Sequence, residues 1–126
     1  MDIKAFRFLS FGLGFLLLFH GMDKVLHGTE FIEKMLLGLG VPYSKYVSYG
    51  VYIGEVVAPL LLIFGQHIRL SALIITFNML VAIFLVHQKD FLTLGEHGSW
   101  SVEVPMLYLL GAITLVLWKS HKQTTK

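Results

Sequence analysis

The chain has 126 residues, 56% of them hydrophobic and only 14% charged, with a net charge of +2. A soluble domain is about a quarter charged; this chain has too few charges to cover a water-facing surface, and its mean hydropathy of +0.73 excludes disorder. The absence of cysteine removes disulfides, iron–sulfur clusters, thiolate zinc and thiol relays, and the few, dispersed basic residues argue against a nucleic-acid partner.

A bilayer core takes about 20 mostly apolar residues per helix. Four stretches meet or approach this, at residues 6–21, 46–65, 70–86 and 102–118. Beyond Arg7 at the start of the first, none contains Lys or Arg, and none has the polar face of a soluble amphipathic helix. The expected fold is therefore all-α: one integral membrane four-helix bundle spanning residues 1–126, with residues 119–126 as a free tail. The first span begins like a secretory signal, with Lys4 and Arg7, but ends in Phe19-His20-Gly21-Met22. It lacks a small-residue cleavage site, and we read it as an uncleaved span.

Between spans one and two, Thr29 is expected to cap a short helix through its side chain, with Glu30 and Glu33, acids suited to a first helical turn, following it. Phe31, Ile32, Met35, Leu36 and Leu39 share a face. This predicts a short helix lying in the interface, ended by Gly38-Leu39-Gly40-Val41-Pro42. Lys4, Arg7, Arg69, Lys119, Lys122 and Lys126 lie on one side of the membrane; Lys24, Lys34, Lys45 and Lys89 lie on the other. The bias predicts an inner (plasma) membrane protein with both termini in the cytoplasm. Tyr43, Tyr46, Tyr49 and Trp100 then form an outer aromatic belt, and Trp118 closes the fourth span at the inner face.

Ionisable residues within spans are costly and mark function by default. Glu55 stands deep in span two, followed by Pro59, which has no N–H to give to the Glu55 carbonyl. Backbone and side chain of one residue are thus both short of partners near mid-membrane. Counting 1.5 Å per residue from the cytoplasmic ends places His20 and Glu103 near ~22 Å, Glu55 near ~16 Å and His87 near ~25 Å. Lys24 lies one turn beyond His20 on the same face. His20, Lys24, Glu55, His87 and Glu103 are therefore the candidate ligand-binding or proton-relay residues, expected to line one cavity in the outer half, with Lys24 as counter-charge to Glu55 or Glu103. Tyr52 is a lesser candidate, nearly in line with Glu55, that also suits the aromatic belt. Asn78 is another: nine residues from His87, it faces the opposite way on a straight helix. We assign His87 to the cavity and Asn78 to helix–helix hydrogen bonding. Gly50, Gly54 and Ala58 form a small-residue stripe that favours close packing. No catalytic residue and no metal site is assigned.

These residues resemble the DoxX family of small four-span bacterial membrane proteins. The similar features are His20-Gly21-Met22-Asp23-Lys24 at the end of span one, Leu39-Gly40-Val41-Pro42, Gly54-Glu55, the exit Gly65, Arg69 and Ala72, the stretch Met79–Ala82 with His87, and Glu103 opening span four. The likeness covers residues 7–118. The chain departs at its end, where Lys119-Ser120-His121-Lys122 stands in place of the Gly-rich tail of many relatives. The resemblance adds Arg69 to the lesser site residues and implies a redox-linked membrane protein.

The function expected is a membrane subunit, at most of a quinone-linked oxidoreductase, that binds a quinone or similar small molecule in the outer half of the bundle. With no cysteine in the chain, electrons come from a soluble or membrane redox partner. The alternatives are a small-molecule or proton-coupled transport module, for which four short spans require a homo-oligomer, and a membrane anchor for a partner enzyme. A haem b between His20 and His87 is disfavoured, because axial ligation needs strict facing geometry.

Overall fold

The computed structural model describes residues 2–87 and 91–119, with the backbone alone at Val86 and His87. Helix α1, Ile3–His27, opens on Asp2, whose carboxylate accepts from the Ala5 N–H at 2.9 Å. It ends at Gly28, whose positive φ of 83° turns the chain while its N–H donates to the Lys24 carbonyl. The helix outruns the apolar stretch at residues 6–21. Nothing between Gly21 and Gly28 breaks it, so His20 and Lys24 are carried on one rigid rod about 37 Å long.

Helix α2, Glu30–Gly38, forms after Thr29, with Glu30 and Glu33 in its first turn. Thr29 does not cap it through its side chain. Its hydroxyl bonds the Ser48 hydroxyl at 3.0 Å instead, both residues being buried, and its carbonyl accepts from Ile32 and Glu33. Gly40 closes the helix: its N–H donates to Leu37, and that of Val41 to Leu36, a Schellman arrangement that satisfies two terminal carbonyls.

The second span, Ser44–Phe64, is built in pieces: α3 (Ser44–Ser48), α4 (Gly50–Tyr52), a π-helical turn (Ile53–Val57) and α5 (Ala58–Phe64). Pro59 explains the break. It sits in the first turn of α5, where a missing N–H costs least. The wider turn ahead of it carries the chain through, with the Ala58 N–H reaching back to the Ile53 carbonyl. Gly65, with φ 72°, reverses the chain after α5. Helix α6, Ile68–His87, returns, and α7, Glu103–Leu117, follows the loop at residues 91–102.

Three of these helical segments, Ile3–His27, Ser44–Phe64 and Ile68–Leu85, are long and apolar enough to cross a membrane; α7 is apolar but shorter. The four pack side by side in a way compatible with a membrane helical bundle. Small residues line the contacts: Ser10, Gly14, Ala58, Ser71, Ala72 and Ala112 are buried, around Leu17, Leu62, Ile75 and Leu115. Large apolar residues face outward, among them Phe8, Phe15, Phe19, Phe64, Phe77, Phe84 and Leu110. This inside-out distribution suits lipid, where close backbone approach rather than a hydrophobic driving force holds helices together. Helices α1 and α5 run antiparallel. Ser10 donates to the Leu62 carbonyl at 2.9 Å, Gly14 abuts Pro59 and Leu62, and Gly21 abuts Glu55. Helix α7 is antiparallel to α1: Phe6 stacks on Trp118, Gly111 meets Leu13, and His20 meets Tyr108 edge to face.

Candidate functional site

The π turn places Glu55 at the centre of the molecule, 5% exposed. It is the twelfth of the 21 residues from Ser44 to Phe64, near mid-span. Each carboxylate oxygen has its own partner. Oε1 accepts from Lys24 Nζ at 2.9 Å, an ion pair with little solvent access. Oε2 accepts from Asn78 Nδ2 at 3.0 Å. Tyr52, one turn earlier, donates its hydroxyl to the Lys24 carbonyl at 3.1 Å, tying α4 to α1 beside the ion pair. A carboxylate and an ammonium removed from water need such hydrogen-bonded pairing to remain charged.

Two glycines let the helices close on this network. A Cβ on Gly54 would lie 2.6–2.8 Å from atoms of the Asn78 side chain, so that side chain rests on bare backbone. A Cβ on Gly21 would lie 1.8 Å from the Glu55 carbonyl oxygen. The carbonyl that Pro59 deprives of its α-helical donor is thus covered by the α-carbon of Gly21, a setting for a weak Cα–H···O contact.

The remaining sequence candidates are placed differently. His20 is exposed, its ring 5.5 Å from that of Tyr108 at 87°. It lies one turn before Lys24 on α1, on the side of α7. Glu103 does not join Glu55: it is exposed, and its Oε1 accepts from the Trp100 N–H at 3.4 Å while its own N–H donates to the Trp100 carbonyl. It closes the first turn of α7, where an acid suits the helix dipole. The side chain of His87 lies outside the described residues. Arg69 is at the opposite end of the molecule, donating to the Trp118 carbonyl. Among the described residues, no three His, Cys, Asp or Glu gather closely enough to hold a metal ion.

Asn78, assigned from sequence to helix–helix hydrogen bonding, meets Glu55 from α6. The signal for it was the turn at Gly65. Glu55 lies nine residues before Phe64 and Asn78 ten residues after Ile68, about 14 and 15 Å from a shared tight turn. Two residues equidistant from a helical hairpin lie side by side. The small residues Ser10, Gly14 and Gly21 were likewise readable as a stripe on α1, the face that meets α5.

The DoxX family profile matches residues 8–88. The match spans α1 to the end of α6 and so contains Lys24, Glu55 and Asn78 together. The chain belongs to the DoxX family. No curated protein and no solved structure matches it. In this DoxX protein the matched region supplies the whole ion-paired network, while Tyr108, which meets His20, comes from α7 beyond it.

Proposed function

We propose that this DoxX protein is the membrane subunit of a redox-linked system and binds a quinone or similar small molecule beside the Lys24–Glu55 pair. The observation that carries the reading is Glu55 itself, a buried, charge-paired carboxylate on a π turn, in a span whose one other charged residue is Lys45 at its start. Such turns recur at functional sites, and ionisable residues at this depth recur in proton relays. The donor set fits a headgroup carbonyl. Exposed His20 offers an imidazole N–H toward the lipid side, and Lys24 has two ammonium protons beyond the one given to Glu55. A bound quinone would supply two-electron, two-proton chemistry. His20, exposed toward the lipid side, exchanges protons with the interface, and Glu55 accepts or returns a proton through Lys24. With no cysteine in the chain, electrons are delivered by a partner.

The same reading puts the chain in the inner membrane with both termini cytoplasmic, α2 along the outer interface and the ion pair in the outer half. The full chain, purified in mild detergent and extracted with organic solvent, should yield a quinone at about one per chain, and Glu55→Gln and His20→Phe should each reduce that yield. No copurifying quinone, together with no binding of an added short-chain quinone in nanodiscs, would remove the proposal. A proton-coupled transport module is the second reading, favoured by the same buried Lys–Glu pair. It predicts pH-driven flux into liposomes by the isolated protein, without any redox partner.

A further inference from the structure

At the far end of the molecule from Glu55, the first turns of α1, the α5–α6 turn and the end of α7 enclose a hollow of about 1010 Å³. Its apolar wall is Ile3, Phe6, Ile68, Leu70 and Trp118, the last stacked on Phe6 with ring centroids 4.1 Å apart. Its polar edge is basic. Arg7 reaches over the turn, its Nη1 within 3.9 Å of where a Cβ on Gly65 would be, and has no hydrogen-bond or ion-pair partner among the described residues. Arg69 spends one N–H on the Trp118 carbonyl, out of the five donors a guanidinium carries. His67 and Gln66 complete the edge. Among the described residues no acid lines it; Asp2, the nearest in sequence, is engaged in capping α1.

We propose that this hollow binds an anionic phospholipid, its phosphate held between Arg7 and Arg69 and its upper acyl chain laid along Phe6, Leu70 and Trp118. The argument is charge and shape together. Two guanidinium groups on helices 62 residues apart in sequence are turned to one opening with no carboxylate to neutralise them. A guanidinium is built for bidentate phosphate contact. The apolar wall continues directly onto exposed Ile3 and Leu70, surfaces that face lipid tails. Trp118 at the rim marks headgroup level, and basic hollows between helix ends recruit acidic headgroups at that level. The sequence that follows, residues 120–126, adds Lys122 and Lys126 and no acidic side chain. This site is independent of the redox reading and lies on other residues.

The test uses tryptophan quenching by brominated lipid. The chain has two tryptophans, so Trp100→Phe leaves Trp118 alone to report on the hollow. The full chain is placed in phosphatidylcholine nanodiscs containing a minor fraction of chain-brominated phosphatidylglycerol, or the same fraction of brominated phosphatidylcholine. Quenching by the phosphatidylglycerol should exceed that by the phosphatidylcholine. Arg7→Gln, a change at a residue with no described partner to lose, should cut the excess about fivefold, the worth of one basic group at a membrane surface. Arg7→Lys should keep most of it, and added salt should reduce it in the protein with both arginines intact. Equal quenching by the two lipids, or an excess that survives Arg7→Gln combined with Arg69→Gln, overturns the proposal. So does erasure of the excess by soluble glycerol phosphate, which would identify a site for free anions instead. The salt series decides the matter should an arginine variant fail to fold.

Discussion

The two oxygens of Glu55 are held by groups of different kinds, a cation at 2.9 Å and a neutral amide at 3.0 Å, and they should respond differently to substitution. Lys24→Met leaves a buried carboxylate without its counter-charge, a change that typically costs about 3–5 kcal/mol. Glu55→Gln is milder, since the amide keeps the shape and needs no cation. A double change of Glu55→Gln with Lys24→Met should recover most of the lost stability, measured by thermal melting in detergent. Additive losses would show that the two do not interact. If Glu55 moves protons, the double variant is stable and inactive; if the pair only holds helices together, it is stable and active. Asn78→Asp sets a second carboxylate against Oε2, and like charges at that distance cannot both ionise. Its melting temperature should fall as pH rises, whereas that of Asn78→Leu should be lowered with little dependence on pH. The opposite charges of Lys24, just beyond the first apolar run, and Glu55, within the second, were open to sequence reading. Asn78 was read as a helix–helix hydrogen bonder, but its partner, Glu55, was harder to find, because an amide carries no charge to balance. Only its distance from the turn at Gly65 distinguishes it.

At the scale of elements, the interruptions are more informative than the helices. Apolar run length located all four helical segments, but it ended the first at Gly21, ahead of the charged Asp23 and Lys24. The structure gives that glycine a purpose: it is where α1 touches the Glu55 backbone. The donor that Pro59 withholds is accommodated by a π turn over Ile53–Val57, a register that no local sequence signal specifies. Thr29 was read from its residue type as a side-chain cap, and it marks the start of α2, but its hydroxyl is drawn to Ser48 by a tertiary contact that local preference cannot reveal. The glycines give a graded test. Gly21→Ala forces α1 away from a backbone carbonyl that cannot yield, so it should destabilise by at least the ~1–3 kcal/mol of ordinary overpacking and separate Lys24 from Glu55. Gly50→Ala meets nothing within 4 Å and should be neutral or stabilising, by up to ~1 kcal/mol. Melting temperatures of the two variants, compared side by side, check both expectations. Similar effects at both positions would argue against the close approach at Gly21.

For the whole molecule, the ordered set of motifs from α1 to α6 made the family legible, because it marks both the ends of helices and the interior positions of the second span and α6. Orientation rests on six basic residues against four, and it has a direct readout: a phosphatase active only in the periplasm, fused after Lys126, should be silent. Strong activity would invert the topology and move Glu55 to the cytoplasmic half. The broken second span has a further consequence, for biogenesis. Helix α1 emerges first and carries Lys24 near one end, where a long side chain can reach water. Glu55 has no such escape from mid-span, and one charged residue at that depth costs an isolated segment about 2.5–3.5 kcal/mol on insertion. Residues 44–64 should therefore integrate poorly alone and well behind α1, or alone as Glu55→Leu, in a glycosylation-mapping assay. Helix α1 would then be the in-chain chaperone of the segment it later clasps, receiving the carboxylate as it enters the bilayer.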